Sequence, residues 1–332
     1  MNKVRAAITG VGGYVPDYIL TNEELSQMVD TSDEWITQRV GIKERRILKE
    51  KGKATSDLAA NAILELLRKT HTDPKDIDLL VIPTITGDMS FPSTANITGH
   101  KTGLVNAFNF DVNAACSGFI YSIEMVSRLI ESGAYKKAIV VGADMMSTIT
   151  DYTNRSTCPL FGDAAAAVLI EPTTEDYGII DRILGYDGIG REYLHMKAGG
   201  SLQPPTHETI DKGEHYIYQE GRAVYKFAVA KMADISIEIM ERNNIKVNEN
   251  VWLVPHQANM RIIESVAERM GIDRNQVLIN IDRYGNTTAA TIPLCLWDYE
   301  KKLKKGDNVI LTAFGAGFTW GSIYLRWAYN FN

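Results

Sequence analysis

The sequence predicts an α/β protein built from two similar halves. Short runs rich in β-branched residues alternate with segments whose apolar residues recur at helical spacing, which is typical of buried strands joined by helices. Three pairs of segments also resemble each other in the same order and at nearly equal separations. These observations indicate one α/β unit used twice, with ligands expected at the carboxyl ends of the strands.

The first half contains the clearest elements. Segments 76–84 (DIDLLVIPT) and 138–144 (AIVVGAD) are apolar runs that end in turn residues, and 108–112 alternates as a strand does. Segment 55–70 (TSDLAANAILELLRKT) predicts an amphipathic helix opened by a Ser or Thr cap. Segment 115–133 predicts a second helix, which ends at Gly133.

The second half repeats landmarks of the first. Pro83 and Pro255 follow similar apolar runs 172 residues apart. NFDVNAACSG and NIDRYGNTTA are related by 171 residues, and VVGAD and ILTAFG by 170. We expect the boundary in the polar stretch 171–178 (EPTTEDYG), which gives halves of residues 1–174 and 175–332.

Composition excludes several classes of protein. The 332 residues carry a net charge of −6 without a long block of either sign, which argues against nucleic-acid binding. The three cysteines are widely spaced and form no CxxC pair, so a reducing cytosol is expected rather than disulfides or zinc. The N-terminus lacks the apolar core of a signal peptide, and no run approaches the roughly 18 apolar residues of a membrane span. These features predict a soluble intracellular protein.

Cys116 lies where a strand gives way to a helix. Backbone N–H groups and the helix dipole at such a junction lower the pKa of a thiol and favour the thiolate. The small residues at 114–118 leave room for a substrate. A lone cysteine is more often a buried structural residue, and we interpret Cys158 and Cys295 in that way because both lie among apolar neighbours.

Two further polar residues occupy strand-to-helix junctions. His256 follows an apolar run, whereas the other five histidines lie in polar contexts typical of a surface. Asn286 lies at the position that parallels Cys116 in the repeat. An asparagine after glycine is ordinarily a turn residue, but its place at a third related junction favours a functional role.

Seven segments resemble the 3-oxoacyl-[acyl-carrier-protein] synthases III in order and spacing: DTSDEWITQRVGIKERR, FPSTA, AACSGF, FGD, VPHQANMRII, YGNTTAA and FGAGFTWGS. The resemblance spans nearly the whole chain. It implies a thiolase-like fold, in which duplicated α/β halves form a five-layered α-β-α-β-α arrangement. It also implies a condensing enzyme that begins bacterial type II fatty-acid synthesis.

The resemblance assigns roles to the three junction residues. Cys116 would attack an acyl-CoA thioester, release CoA and carry the acyl group. Malonyl-acyl carrier protein would then lose CO₂, and its enolate would attack the acyl-cysteine. His256 and Asn286 would donate neutral hydrogen bonds to the enolate, since a carboxylate would repel it. The backbone N–H groups of Cys116 and Ala316 would bind the thioester oxyanion, although many relatives carry Gly at the latter position. No cofactor or metal is expected.

The resemblance also implies binding residues. Trp35 and Arg155 would stack on the adenine of CoA, a planar cation and an aromatic face. Further residues match positions at the nucleotide or along the pantetheine arm: Thr31, Arg39, Gly221 and Asn259. Lys226 and Arg261 would dock the acidic carrier protein, although both could be ordinary solvated charges.

A homodimer is implied as well. Phe91 matches the residue that one subunit lends to the acyl pocket of the other, and Tyr225 lies near that pocket. The primer stays open between acetyl-CoA and short branched acyl-CoAs such as isobutyryl- or isovaleryl-CoA. The polar segment 190–221 is expected to shape the entrance.

Three alternatives remain at this point. One is a related condensing enzyme that uses a CoA-bound extender or makes a specialised ketide. Another is a non-catalytic homologue that binds carrier protein, against which the intact set of Cys, His and Asn argues. The third is a papain-like cysteine hydrolase, which the duplicated pattern and the FGAGFTWG segment disfavour.

Overall fold

The computed structural model describes residues 4–247 and 250–331. Its strands are β1 Arg5–Tyr14, β2 Ile19–Thr21, β3 Glu44–Arg46, β4 Leu79–Pro83, β5 Phe108–Val112, β6 Ala138–Met145, β7 Asp163–Thr173, β8 Gly178–Tyr186, β9 Leu194–Met196, β10 Ile217–Gln219, β11 Val251–Pro255, β12 Asn308–Gly315 and β13 Thr319–Arg326. Its α-helices are α1 Asn22–Ser26, α2 Asp33–Val40, α3 Thr55–Thr70, α4 Thr94–Thr102, α5 Gly118–Glu131, α6 His207–Asp211, α7 Gly221–Arg242, α8 Met260–Met270, α9 Ile281–Tyr284 and α10 Thr291–Asp298.

Two sheets share one strand order. The first runs β1-β7-β6-β4-β5 and the second β8-β13-β12-β11. In each sheet two neighbouring strands are parallel, β4 with β6 and β11 with β12, and the remaining large strands pair antiparallel to them. The place of β5 is taken in the second half by a single parallel bridge between Leu253 and Val277. The predicted duplication is confirmed.

The layers follow from which helices cover which sheet faces. Helices α3 and α4 pack on the outer face of the first sheet, α5 and α10 lie between the two sheets, and α7 covers the outer face of the second with α8 beside it. Apolar clusters fill these interfaces, and the central one contains Phe119, Ile292 and Trp327. This is the predicted five-layered α-β-α-β-α arrangement. Strand β4 is buried along its whole length because both faces of its sheet are covered.

The predicted cap of helix α3 is wrong. The residue before the helix is Ala54, and its backbone N–H is bound at 3.0 Å by the carboxylate of Asp57. The hydroxyls of Thr55 and Ser56 bind instead to Thr86 and Asp88 in the loop after β4. Their tertiary partners therefore outweigh local capping. The predicted end of α5 is confirmed, since a glycine with φ +78° follows it at position 133.

Residues 174–177 connect the two sheets, because β7 ends at Thr173 and β8 begins at Gly178. We propose to divide the chain there, into halves of residues 1–174 and 175–332. Among residues 4–247 and 250–331, no helix is both long enough and apolar enough to cross a membrane.

Candidate active site

A cavity of about 710 Å³ lies between the two halves, and Cys116, His256 and Asn286 all line it. His256 follows directly after β11, whereas Cys116 and Asn286 lie in the turns that lead into α5 and α10. Both turns contain a short 3₁₀ helix, at 115–117 and at 288–290. The fold thus brings together three residues that are far apart in sequence.

Cys116 sits in a turn that the end of β12 approaches closely. A Cβ atom placed on Gly315 would lie 2.8 Å from the backbone nitrogen of Cys116 and 3.0 Å from that of Ser117. Glycine is therefore required at this point for the two halves to meet. Ala115 has a φ of +46°, which turns the chain so that the cysteine opens the helix at the cavity wall.

The expected low pKa of Cys116 is wrong. Burial raises the pKa of the thiol to about 12, and the negative charge of Asp144 raises it further. The side chain retains some exposure, yet the surrounding protein outweighs the local effect of the helix start. The free thiol is therefore protonated at neutral pH. Cys158 and Cys295 are fully buried, as predicted.

His256 is a buried neutral imidazole. Its side chain is 2% exposed, and burial lowers its pKa to about 3. Its backbone N–H donates to the carbonyl of Thr312 at 2.8 Å, which ties it to β12. Nδ1 lies 2.7 Å from Oγ1 of Thr291, whereas Nε2 has no protein partner among the described residues. The side chain can therefore present Nε2 to a substrate. The other five histidines are exposed or half-buried.

Asn286 is held so that its amide nitrogen remains available. Its side-chain oxygen accepts the backbone N–H of Thr288 at 2.9 Å, and its backbone N–H donates to the carbonyl of Leu160 at 2.8 Å. The side-chain NH₂ group has no protein partner among the described residues. A buried site with two neutral donors suits an oxygen atom that gains negative charge.

The predicted repeat relationship of Asn286 needs correction. The 3₁₀ turns 115–117 and 288–290, each followed at once by a helix, are 173 residues apart. Ala115 and Thr288 share a positive φ, of +46° and +54°. This alignment places Ala289 opposite Cys116 and Asn286 opposite Asn113. The offset of 171 misaligned the turns because the segment before them differs between the halves.

Asp144 is a buried site residue that the sequence reasoning missed. It is fully buried near the end of β6, and its Oδ2 accepts the backbone N–H of Ala289 at 3.2 Å. Its Oδ1 accepts hydrogen bonds from Thr84, Ile85 and Thr86. Burial raises its pKa to about 6. The only signal in the sequence was its place at the end of VVGAD, where an aspartate is typical of a turn.

The predicted oxyanion donors lie on the two sides of the close approach. Ala316 lines the cavity directly after Gly315, and Cys116 lies in a first helical turn, whose N–H groups lack partners within the helix. Ala316 is not among the described residues with positive φ. Its methyl group is therefore compatible with the turn, as expected.

The predicted nucleotide side of the cavity is built around Trp35. The guanidinium carbons of Arg39 and Arg155 lie 4.6 and 4.7 Å from the centre of its ring. Arg155 also binds Asp30 at 3.1 Å. Trp35 and Arg155 therefore contact each other, and an adenine could enter between them only if Arg155 moved away.

Other predicted binding residues line the same cavity: Gly221, Tyr225, Asn259 and Arg261. A Cβ atom on Gly221 would meet no protein atom within 4 Å, so the space beside it is open. The side-chain oxygen of Asn259 caps α8 through the backbone N–H of Arg261 at 2.9 Å. Arg261 in turn donates to the carbonyl of Gln38 at 3.1 Å.

Three predicted residues do not line this cavity. Thr31 lies two residues before α2, and its buried hydroxyl has no partner among the described residues. Phe91 is 84% exposed. Lys226 is exposed on α7.

Several lining residues were not predicted. Apolar side chains surround the space near Cys116: Ile85, Met146, Leu160, Phe161 and Phe314. The two phenylalanines lie in the FGD and FGAGFTWGS segments, so the motifs could have indicated them. Arg222 lines the rim and makes no ion pair among the described residues. The 190–221 segment contributes Leu194, Ile217 and Gln219, which agrees with its expected place at the entrance.

No metal centre competes with this site in the part of the chain that the structure describes. Residues 4–247 and 250–331 contain no group of three or more His, Cys, Asp or Glu side chains arranged to hold a metal ion.

Comparisons with known proteins give one consistent result. Residues 110–188 match the family 3-oxoacyl-[acyl-carrier-protein (ACP)] synthase III, and residues 240–327 match its C-terminal domain. The chain is 58% identical to beta-ketoacyl-[acyl-carrier-protein] synthase III 2 of Bacteroides thetaiotaomicron, over 99% of this chain and 98% of the relative. It is also 58% identical to the beta-ketoacyl-[acyl-carrier-protein] synthase III of Phocaeicola vulgatus, over 99% of each chain.

A solved structure extends the similarity to the fold. The 3-oxoacyl-[acyl-carrier-protein] synthase III of Aquifex aeolicus is similar to this chain with a TM-score of 0.89 and 39% identity, over 97% of this chain and all of that one. These relationships leave no place for a papain-like hydrolase. By sequence, fold and full-length coverage, the chain belongs to the 3-oxoacyl-[acyl-carrier-protein] synthase III family of condensing acyltransferases.

Proposed function

We propose that this protein initiates type II fatty-acid biosynthesis. It condenses a short acyl-CoA with malonyl-acyl carrier protein and gives 3-oxoacyl-acyl carrier protein, CoA and CO₂. Both thioesters are substrates, and the reaction needs no cofactor. The observation that carries the proposal is a partly exposed cysteine that shares one cavity with two neutral donors, His256 and Asn286.

The first half-reaction transfers the acyl group. The sulfur of Cys116 attacks the thioester carbon, and the backbone N–H groups of Cys116 and Ala316 bind the oxyanion. The bond to the CoA sulfur then breaks, and the thiol proton passes to the departing CoA thiolate. Because burial keeps the thiol protonated, this proton leaves during the attack rather than before it.

The second half-reaction makes the carbon–carbon bond. The malonyl carboxylate leaves as CO₂, and the electron pair moves into the thioester as an enolate. Nε2–H of His256 and the amide of Asn286 donate to the enolate oxygen. The enolate carbon attacks the acyl-cysteine, and the sulfur of Cys116 leaves and regains a proton from solvent.

Substrate binding follows the cavity outward. We assign the nucleotide of CoA to Thr31, Trp35, Arg39 and Arg155, and the pantetheine arm to Gly221 and Asn259. The open space beside Gly221 supports the second assignment. Lys226 and Arg261 are assigned to the carrier protein, because both are cations on adjoining helices at the cavity mouth.

A homodimer is the proposed assembly. Strand β5 forms one edge of the first sheet, and an unpaired edge is a template for a second copy. Exposed apolar side chains surround that edge, among them Met89, Phe91, Val105 and Phe108, which are 55–84% exposed. Phe91 would then reach the acyl pocket of the partner subunit, near Tyr225. Light scattering should give twice the chain mass, and a monomer that retains full activity would contradict this assembly.

The proposed location is the cytoplasm. The three cysteines are free thiols, which agrees with a reducing compartment.

Intact-protein mass spectrometry tests the function. The protein is incubated with acetyl-, isobutyryl- and isovaleryl-CoA in turn, and the adduct is mapped to a peptide. We expect one acyl group on Cys116, lost when malonyl-acyl carrier protein is added and not when malonyl-CoA is added. An enzyme that forms no adduct, or that turns over equally with malonyl-CoA, does not perform the proposed reaction.

A further inference from the structure

The His256 side chain has one protein partner among the described residues, and that partner can decide which ring nitrogen carries the proton. Nδ1 lies 2.7 Å from Oγ1 of Thr291. Since burial keeps the imidazole neutral, one nitrogen is protonated and the other is bare. The two tautomers present opposite chemistry to the cavity, a donor or an acceptor at Nε2.

The hydroxyl of Thr291 has two acceptors within reach. One is Nδ1 of His256, and the other is the carbonyl of Thr288 at 3.0 Å. The Thr288 carbonyl already accepts the backbone N–H of Thr291. The hydroxyl proton can therefore go to the imidazole without leaving a buried carbonyl unpaired.

The same turn orients the second donor. The N–H of Thr288 binds the side-chain oxygen of Asn286 at 2.9 Å and leaves its NH₂ group free. The backbone from Asn286 to Thr291 thus fixes an amide through one residue and an imidazole through another. Both would present N–H groups to one oxygen.

We propose that Thr291 is a positioning residue for decarboxylation. Its hydroxyl donates to Nδ1 of His256, which keeps the ring proton on Nε2, where it faces the enolate oxygen. The reverse arrangement would place a bare nitrogen lone pair against a developing negative charge. The inference rests on the proposed function and adds a residue to its second half-reaction.

The test compares variants in separate half-reactions. Thr291→Val keeps the branched shape and removes the hydroxyl, and Thr291→Ser restores it. Acylation of Cys116 by acyl-CoA and decarboxylation of malonyl-acyl carrier protein are measured separately. We expect the valine variant to lose about tenfold to hundredfold in decarboxylation, the range for an unpaired buried partner. Acylation should change less than threefold, and serine should recover most of the loss.

Thr287→Val is the matched control. It removes a neighbouring hydroxyl that is also buried but has no partner among the described residues. Its decarboxylation rate should stay within threefold of the wild-type rate. An equal loss in this control would show a general effect of the turn and overturn the role of Thr291.

Nitrogen NMR of histidine-labelled wild-type protein gives a readout that needs no Thr291 variant. The His256 signals, identified by their loss in His256→Gln, should show a protonated Nε2 and a bare Nδ1. A protonated Nδ1, or a valine variant that decarboxylates as fast as wild type, overturns the inference. A wild-type protein that neither acylates nor decarboxylates contradicts the proposed function instead.

Discussion

The guanidinium carbon of Arg155 lies 4.7 Å from the centre of the Trp35 ring. The two groups predicted to hold an adenine between them are therefore in contact with each other. Arg155 also binds the exposed carboxylate of Asp30, a contact that contributes little energy at the surface. Binding of the nucleotide would exchange the contact between cation and ring for two contacts with the base.

Trp35→Ala should weaken recognition of the nucleotide alone. We expect KM for acyl-CoA to rise about tenfold, because a stacked aromatic face contributes roughly 1–2 kcal/mol. KM for the matching acyl-pantetheine, which lacks the nucleotide, should not change. Steady-state acylation with both thioesters checks this. Equal effects on the two substrates would show that Trp35 acts on the fold or on the acyl end.

Reactivity of Cys116 should rise with pH without a plateau near neutrality. Because burial raises the pKa of the thiol to about 12, the thiolate fraction grows about tenfold for each pH unit below that value. The rate of alkylation by iodoacetamide, followed by mass spectrometry from pH 6.5 to 9, should therefore keep climbing. A rate that levels off near pH 7 would instead support the low pKa that the helix start predicted.

Asn286→Asp should impair decarboxylation although it preserves shape. The substitution replaces a donor with a carboxylate that repels the malonyl carboxylate and the enolate. We expect a loss of at least a hundredfold in malonyl decarboxylation, similar to or larger than that of Asn286→Ala. Acylation from acyl-CoA should fall much less in both variants. If both variants lost acylation and kept decarboxylation, the donor role would be wrong.

Gly315→Ala should block the acylation step. The added Cβ would lie 2.8 Å from the backbone nitrogen of Cys116, closer than real contacts allow. It would displace the turn and occupy the approach to the oxyanion donors, so we expect acylation to fall by a hundredfold or more. Gly200→Ala is the control, because its Cβ would meet no atom within 4 Å. Its acylation rate should match that of the wild type.

The duplicated fold could be predicted because strand runs are local patterns. The segments that became β4, β5, β6 and β11 carry their burial in their own composition. The site residues Cys116, His256 and Asn286 could be found for a related reason, since each interrupts such a pattern where a strand ends.

What could not be predicted depends on contacts between the halves. The pKa of Cys116 was predicted from its helix start, but it is set by the protein that encloses the thiol and by Asp144. The contact of Thr291 with His256 joins residues 35 apart, and no spacing rule indicates it. Local capping rules failed at α3 in the same way, because two hydroxyls have distant partners.

The bond between Asp144 and Ala289 shows how the duplicated unit came to hold one working centre. Ala289 occupies, in its own half, the place that Cys116 occupies in the other. Its backbone N–H is bound to a carboxylate oxygen that belongs to the protein, whereas the N–H of Cys116 faces a glycine with no side chain to fill the space. One copy of the ancestral pocket is thus plugged by the chain itself, and the other is kept vacant for a substrate oxygen. The plug is an internal inhibitor in miniature, and it shows that this turn accepts an anionic oxygen.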